Sequence, residues 1–470
     1  MNVEMCEMCR PDTHVLRKFL GRKLPMTDVM LIYPYFDTNM PQAMLFHPLG
    51  IAQLTAVLRV VGVAVSVVDC TFRQRADVLA EIEAAQPNIV GISIMVSMSD
   101  NARDLARAIR ERMPETLLVC GGPLPTLRSQ QFSREFDLVF RGEAAQVFPI
   151  FCRAYLEAGI SVHGLPGFLQ RAEAYPGIYY QPLDSGATIQ SAPQSSDETL
   201  LNQLPLPDRH DYDHARYQQF WHAREGYSLA GIMTTYGCPY HCNFCSKPIY
   251  GNWFRRRKMD RIMAEIRDIK TWGYTGLWIA DDCFTLDIEH LRTFCQRLIV
   301  EKLDMRWWCL SRVDKVTAQV VDLMQAAGCQ KVFFGLESGS NAVLKLMNKQ
   351  ITIEMAEQTL ALFAQSSIRA AGFFMVGYPG ETYETIETTF QWALTLPLDD
   401  ISFTVPYPLP GTRLFEKVFN VQSEIDWQYE NENRITYQSE FDESYLRTRI
   451  AEVSAQFTAR RQCQRRDGSL

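Results

Sequence analysis

The sequence predicts an α/β protein with two parallel-sheet domains: an N-terminal doubly wound, Rossmann-like sheet, then a partial (β/α)6 TIM-like barrel. Three observations carry this. Short, nearly continuous Val/Ile/Leu runs alternate with amphipathic segments from Asp28 to about residue 158, and again from Leu229 to about 420. A stretch rich in Pro, Gly, Ser and Gln separates the two blocks. The second block holds six strand–helix units in fewer residues than the ~250 of a closed eight-fold barrel.

Residues 1–26 form an N-terminal extension with no clear pattern. The first domain, 27–158, opens with the apolar strand VMLIYP. Apolar residues at helical spacing follow from Pro48 to Val61, with Pro at the helix start and Gly62 beyond its end. The strands VAVSVVD, NIVGISI, TLLVCGG and FDLVFRGE alternate with helices over 76–85, 101–112 and up to about 158. Residues 159–228, with DSGATIQSAPQSSDE and LNQLPLPDRHDYD, read as a connector lying over a surface.

In the barrel, 229–420, LAGIMTTYG is the first strand. TGLWIAD, MRWWCLS, QKVFFGLE, RAAGFFMVG and DISFTVP follow, each after a helical segment. The tail, 421–470, holds a helix at 443–461 that is expected to cap the barrel mouth. In both architectures ligands bind beyond the strand C-termini. Those ends carry polar and glycine residues: Cys238 onward, Asp281-Asp282, Ser311-Arg312, Glu337-Ser338 and Gly377 to Glu381. In the first domain they carry Ser93, Cys120-Gly121-Gly122-Pro123 and Arg141-Gly142-Glu143.

The net charge is −7 and charged residues are 21% of the chain, which argues against a nucleic-acid surface apart from the short run Arg255–Lys258. No apolar run reaches the ~18 residues of a membrane span, and the N-terminus does not read as a signal peptide. A cytoplasmic location is expected, where most of the 13 cysteines are small core residues rather than disulfides. Cys70, Cys120, Cys152, Cys295 and Cys329 fit that reading; Cys6 and Cys9 form a lone Cys-x2-Cys pair.

The exception is GCPYHCNFCSKP, where Cys238, Cys242 and Cys245 stand at Cys-x3-Cys-x2-Cys. Three thiolates hold three irons of a [4Fe–4S] cluster and leave the fourth open. A vacant metal position marks a catalytic site. Zinc is the rival reading, but a structural zinc site asks for a fourth protein ligand, and none is evident.

This loop, after the first strand of a six-unit barrel, resembles the radical S-adenosylmethionine (SAM) superfamily. The runs CPYHCNFCSKPIYGNWFRRR, FGLESGSNAVLKLMNK and GFFMVGYPGETYETIE, with LPLPDRHDYD, resemble its branch with an N-terminal cobalamin (B12)-binding domain. That branch includes B12-dependent radical methylases and anaerobic Mg-protoporphyrin ester cyclases. The resemblance implies that Cys238, Cys242 and Cys245 ligate the cluster, whose open iron chelates SAM. It implies SAM contacts at Phe244, Asp282, Ser311, Arg312, Glu337 and Gly377. It implies cobalamin contacts at Ser93, Gly121, Gly122, Pro123, Gly142 and Glu143, with His47 as a further candidate for facing the cofactor. Two departures stand out: YPYFDTNMPQ lacks the histidine that many B12 domains offer to cobalt, and Leu124 follows Gly-Gly-Pro where relatives often have histidine.

The activity implied is reductive cleavage of SAM, with a methyl group passed through methylcobalamin to an unactivated centre of a small-molecule substrate. A one-electron donor such as flavodoxin or ferredoxin would feed the cluster. The alternatives are an oxidative cyclase or rearrangement without methyl transfer, and a non-catalytic cofactor sensor.

Overall fold

In the computed structural model, residues 27–36, 44–169, 175–181, 188–418, 433 and 435–466 are described. The 1–26 extension, Cys6, Cys9 and most of the histidine-free segment after the first strand lie outside them.

The first sheet has the order β2-β1-β3-β4-β5-β6-β7. Strands β1 (Val29–Tyr33), β2 (Val65–Asp69), β3 (Ile89–Ser93), β4 (Leu117–Gly121) and β5 (Leu138–Phe140) are parallel. The order 2-1-3-4-5 is that of doubly wound folds with a switch point between β1 and β3. Helices α1 (Leu49–Val60), α2 (Arg75–Ala85), α3 (Ser99–Arg112) and α4 (Val147–Ala158) cover its two faces. Side chains alternate across a strand. Val29 and Leu31 therefore enter one core and Met30 and Ile32 the other.

The connector differs from expectation. It adds β6 (Ile178–Tyr180) and β7 (Ile189–Gln190), antiparallel, to the edge of this sheet. Tyr175, Ile178 and Tyr180 are buried in the domain core. Helix α5 (His214–Glu225) buries Tyr217 and Trp221. The cause is local: aromatic residues in a polar stretch found apolar surface to cover.

The second sheet runs β8-β11-β12-β13-β14-β15, all parallel and open. Its strands are β8 (Leu229–Ile232), β11 (Gly276–Ile279), β12 (Arg306–Ser311), β13 (Cys329–Glu337), β14 (Arg369–Met375) and β15 (Asp400–Thr404). Outward residues such as Leu277, Trp307 and Val332 pack on helices α6 (Met259–Thr271), α7 (Ile288–Val300), α8 (Ala318–Ala326), α9 (Asn341–Leu346), α10 (Ile353–Phe363) and α11 (Tyr383–Thr395). Inward residues Trp308, Phe333 and Ala371 form an aromatic plug with Trp221, Tyr227 and Trp278. Two local stops set helix starts: Asp287 accepts from the amides of Glu289 and His290 ahead of α7, and Thr382 and Thr385 form a capping box on α11.

The tail helix α12 (Glu443–Arg466) does not cap the mouth. Leu446 lies against Gly377 near the strand tops, and Arg461 pairs with Asp399 at the start of β15. Leu446, Ile450, Val453 and Phe457 join the barrel's outer core. The helix therefore runs antiparallel along β15, in the place a sixth crossover helix would take. Cys70, Cys120, Cys152, Cys295 and Cys329 are all buried, as are Cys283 and Cys309. No helix among the described residues is long and apolar enough to cross a membrane.

Candidate active site

The cysteine loop is the tip of a small hairpin. Strand β9 (Thr235–Tyr236) pairs antiparallel with β10 (Arg255–Arg256), and residues 237–254 run between them. Gly237 makes the turn out of β9 at φ +78°; a Cβ there would lie 2.4 Å from the Trp253 carbonyl oxygen, so only glycine fits. The Cys238 amide donates to the Gly251 carbonyl at 3.3 Å and the Cys245 amide to the Cys242 carbonyl at 3.2 Å.

The end of α9, the turn after it and the segment at Leu414 grip the loop from outside. The Asn243 amide donates to the Met347 carbonyl at 2.9 Å, its side chain to the Leu346 carbonyl at 2.8 Å, and the Leu414 amide to the Asn243 carbonyl at 2.9 Å. Asn348 donates to the His241 carbonyl at 2.6 Å. Lys247 donates to the carbonyls of Cys238 and Tyr240. The Arg312 guanidinium stacks on Tyr240 at 3.6 Å.

Cys238 and Cys242 are half-buried, Cys245 is exposed, and none is in a disulfide. Burial raises the Cys238 thiol pKa, opposed by a hydrogen bond from the Tyr240 backbone and by Lys247. Metal loading therefore has a proton to displace. The described residues hold no set of three His, Cys, Asp or Glu side chains converging on one ion. A cluster in which each iron takes one thiolate uses a wider triangle. The donor set fits a cluster: three thiols on one pinned loop, accessible from outside, opposite the strand ends of the barrel.

Around this loop the expected SAM residues divide. Phe244 is partly buried against Val343, Met347, Met375 and Tyr378 at the tops of β13 and β14. Asp282 is exposed at the end of β11, facing the loop, whereas Asp281 is buried and accepts from the Thr234 amide and the Thr234 and Thr235 hydroxyls. Asp281 thus fixes the β8–β9 turn, and Asp282 accepts from the Gly237 amide at the start of the cysteine loop, beside Lys247. Glu337 is buried and pairs with Lys349 at 2.6 Å. It sits at φ +64°, where the register of β13 against β14 shifts. A Cβ on Gly335 would lie 2.6 Å from both Glu337 Oε1 and Lys349 Nζ, so that glycine makes room for the pair. Strain of this kind in a non-glycine residue persists only where the surroundings enforce it.

Three expected residues are otherwise engaged. Ser311 bonds Thr285 at 2.8 Å and the Arg312 carbonyl at 2.9 Å. Arg312 directs its donors to Asp314 at 2.9 Å, the Lys349 carbonyl at 2.9 Å and the Gln350 carbonyl at 3.0 Å. It braces the cluster loop and the turn after α9 rather than offering a free guanidinium to a ribose or carboxylate. At Gly377 (φ +85°) a Cβ would meet Leu446 at 2.7 Å. The Cα–Cβ direction of this glycine is therefore filled by the tail.

Glu381, in the same GYPGE turn, is buried, accepts from the Tyr378 amide at 2.7 Å, and leaves Oε1 without a partner. Burial raises its pKa from 4.5 to about 7, against the pull of the Tyr378 and Gly377 amides. A raised carboxyl pKa means that the folded state holds a proton which the unfolded chain releases, so stability falls as pH rises from about 4.5 to about 7, by roughly 3 kcal/mol. Glu381→Gln should flatten that slope in thermal melts between pH 5 and 8 and melt higher than wild type at pH 8.

Beyond the C-terminal ends of β1, β3, β4 and β5 lies a cavity of about 370 Å³. Ser93, Gly121, Gly122, Pro123, Gly142 and Glu143 all line it. Its floor is apolar, with Leu31, Ile51, Leu54, Val119 and Phe148, and its far wall belongs to the barrel: Met233, Tyr236, Ile249 and Tyr250. A deep apolar slot at the switch-point side of the sheet fits the flat ring at the end of cobalamin's nucleotide tail.

Not every lining residue is free for a ligand. A Cβ on Gly142 would lie 2.2 Å from the Gln194 carbonyl oxygen, because the connector bridges there. Glu143 is buried and pairs with Arg255 of β10 at 2.5 Å. Its carboxylate ties the first domain to the cluster hairpin. His47 is not among the residues lining the cavity: it bonds the Tyr274 hydroxyl at 2.7 Å, and burial lowers its pKa well below the ordinary histidine value.

The residues that sequence reasoning missed are mostly these ties: Lys349, Arg255, and the triad Arg209–Glu265–Arg257, in which Glu265 contacts Arg209 at 2.5 Å and Arg257 at 2.6 Å. One signal was present. In a strand, alternate residues point to opposite sides, so RRRK buries Arg255 and Arg257 and exposes Arg256.

Residues 232–393 match the radical SAM superfamily and residues 43–151 match the B12-binding domain family. An uncharacterized methyltransferase of Pyrococcus horikoshii is 28% identical over 395 residues, covering 81% of each chain. A cytidylyl-2-hydroxyethylphosphonate methyltransferase of Streptomyces wedmorensis is 25% identical over 87% of this chain and 84% of its own. Among solved structures, the radical SAM methyltransferase TsrM of Kitasatospora setae, with cobalamin and a [4Fe–4S] cluster bound, superposes with a TM-score of 0.68. It is 19% identical and covers 84% of this chain and 78% of its own. The protein belongs to the radical SAM superfamily. Within it, the chain is a member of the branch with an N-terminal B12-binding domain, an enzyme whose cofactors are a [4Fe–4S] cluster, SAM and cobalamin.

Proposed function

We propose that this enzyme transfers a methyl group from SAM, by way of cobalamin, to an unactivated centre of a small-molecule substrate in the cytoplasm, with a flavodoxin- or ferredoxin-like protein as one-electron donor. The observation that carries this reading is a shared wall. Tyr236 and Tyr250, which close the B12 cavity, flank the loop that holds Cys238, Cys242 and Cys245. A methyl carrier and a radical source are useful together only when one substrate can reach both, and one hairpin belongs to both sites.

When bound, the cluster and SAM supply a carbon radical able to abstract hydrogen, and cobalamin supplies the methyl group. The chain supplies binding and placement. Cys238, Cys242 and Cys245 would hold three irons. Asp282 offers an exposed carboxylate to a ligand amine, and the Glu337–Lys349 pair offers one group of each sign to an amino-acid zwitterion. Phe244 presents a ring face. Phe373, stacked on Phe333 at 5.4 Å and 37% exposed, gives the barrel interior an apolar aromatic wall for the substrate. Excluding water from such a wall protects a reactive intermediate.

The test is SAM labelled with a deuterated methyl group, given with reductant and a metabolite extract to the reconstituted enzyme. A product carrying the label is expected. A new product formed with 5′-deoxyadenosine but without label would contradict methyl transfer and favour oxidative ring closure.

A further inference from the structure

The cavity's barrel wall carries two phenols to which nothing has been assigned. Tyr236 closes β9 just before Gly237 and Cys238, and Tyr250 follows the cysteine loop. Their rings meet edge-on, with centroids 4.9 Å apart and planes at 72°. Both line the cavity, opposite Leu31, Ile51 and Phe148. Among the described residues, neither hydroxyl has a hydrogen-bond partner. Each ring is half-buried and borders the cavity.

That arrangement is costly without a ligand. A phenol facing a mostly apolar space and bonded to nothing gives up part of its hydration. The other polar groups of this wall are satisfied: Arg257 binds the Met233 carbonyl at 2.6 Å and Glu265 at 2.6 Å, and Glu143 binds Arg255. The two hydroxyls are thus unclaimed donors on the barrel side of a mostly apolar slot. Phenol at neutral pH keeps its proton and donates. The matching ligand atom is an acceptor oxygen at the edge of a body whose flat apolar part fills the floor. Cobalamin has such oxygens in its ring carboxamides and in the phosphate of its nucleotide tail.

We infer that Tyr236 and Tyr250 are cofactor-binding residues, donating hydrogen bonds from the barrel to acceptor oxygens of cobalamin. The inference rests on the assignment of this cavity to cobalamin. It adds that the barrel, through the same hairpin that carries the cluster, supplies part of the B12 site.

The experiment measures cobalt retained by the full-length chain, with its cluster reconstituted, in dialysis against graded cobalamin. One hydrogen bond contributes about 1 kcal/mol, a factor of about five in affinity. Tyr236→Phe and Tyr250→Phe should each weaken binding about five-fold, and the double variant about 25-fold. Phenylalanine keeps the packing, so iron content and melting temperature should match wild type. Cobinamide, which lacks the nucleotide tail, separates the two acceptors: loss with cobalamin alone assigns the hydroxyls to the tail phosphate, and loss with both assigns them to the ring amides. A double variant that binds cobalamin as tightly as wild type overturns this inference alone. A wild-type chain that retains no cobalt overturns the cobalamin assignment and this inference with it.

Discussion

Replacing Cys242 with alanine should abolish both the cluster and SAM cleavage. Cys242 is the middle of three thiols on one loop, and the other barrel cysteines, Cys283, Cys295, Cys309 and Cys329, are all buried. With two thiolates left, the cluster loses a ligand it needs. The loop itself should survive, because its anchors run through Asn243, Lys247 and Asn348 rather than through sulfur. The expected result is a folded chain with wild-type melting, iron and sulfide near background after anaerobic reconstitution, and 5′-deoxyadenosine at the level of the cluster-free protein. Retention of a full cluster by this variant would refute the assignment of the loop.

Replacing Glu265 with alanine should produce the largest loss of stability. Its carboxylate, 1% exposed, lies between Arg209 of the connector and Arg257 at the end of the cluster hairpin. Burial alone would raise its pKa, but Arg257 and Arg209 outweigh that and hold it below the usual carboxylate value. Removing it leaves two guanidinium groups buried without their partner, which costs about 3–5 kcal/mol. For a domain of this size that is a fall of about 10 °C in melting temperature. Arg209 also donates to the Gly231 carbonyl at 3.0 Å and Arg257 to the Met233 carbonyl at 2.6 Å. The damage therefore reaches the strand that leads into the cysteine loop, and cluster retention should fall with stability. Because a lowered carboxyl pKa gives stability that is lost on acidification, the gap between wild type and Glu265→Ala should narrow as pH drops below about 4.

The strands, the helices and the cysteine loop were legible because each has a short-range signature. Val/Ile/Leu runs mark buried parallel strands, a 3.6-residue period marks α6 and α7, and a thiol spacing marks a cluster. The cavity was legible one step further, since Ser93, Gly121, Gly122, Pro123, Gly142 and Glu143 all line it. What each glycine and charge faces was not legible. A positive φ at Gly142 or Gly377 can be expected from a turn, but the partner is Gln194 in one case and Leu446 in the other, 52 and 69 residues away. Glu143 meets Arg255 across 112 residues, and Arg209 meets Glu265 across 56. Such pairs depend on how the two domains dock, and a single chain read in order contains no periodicity that reports docking. For the same reason the connector read as surface: GIYY alone does not reveal the sheet edge that it completes.

A pinned cysteine loop that works as a radical source differs from a mere binding site in what it releases. The most direct measurement is 5′-deoxyadenosine released by the anaerobically reconstituted, full-length enzyme when SAM and a low-potential reductant are added. 5′-Deoxyadenosine together with methionine is expected, dependent on reductant and absent with Cys242→Ala. A wild-type chain that carries its full iron and sulfide, binds SAM, and still releases no 5′-deoxyadenosine under reducing conditions would contradict it.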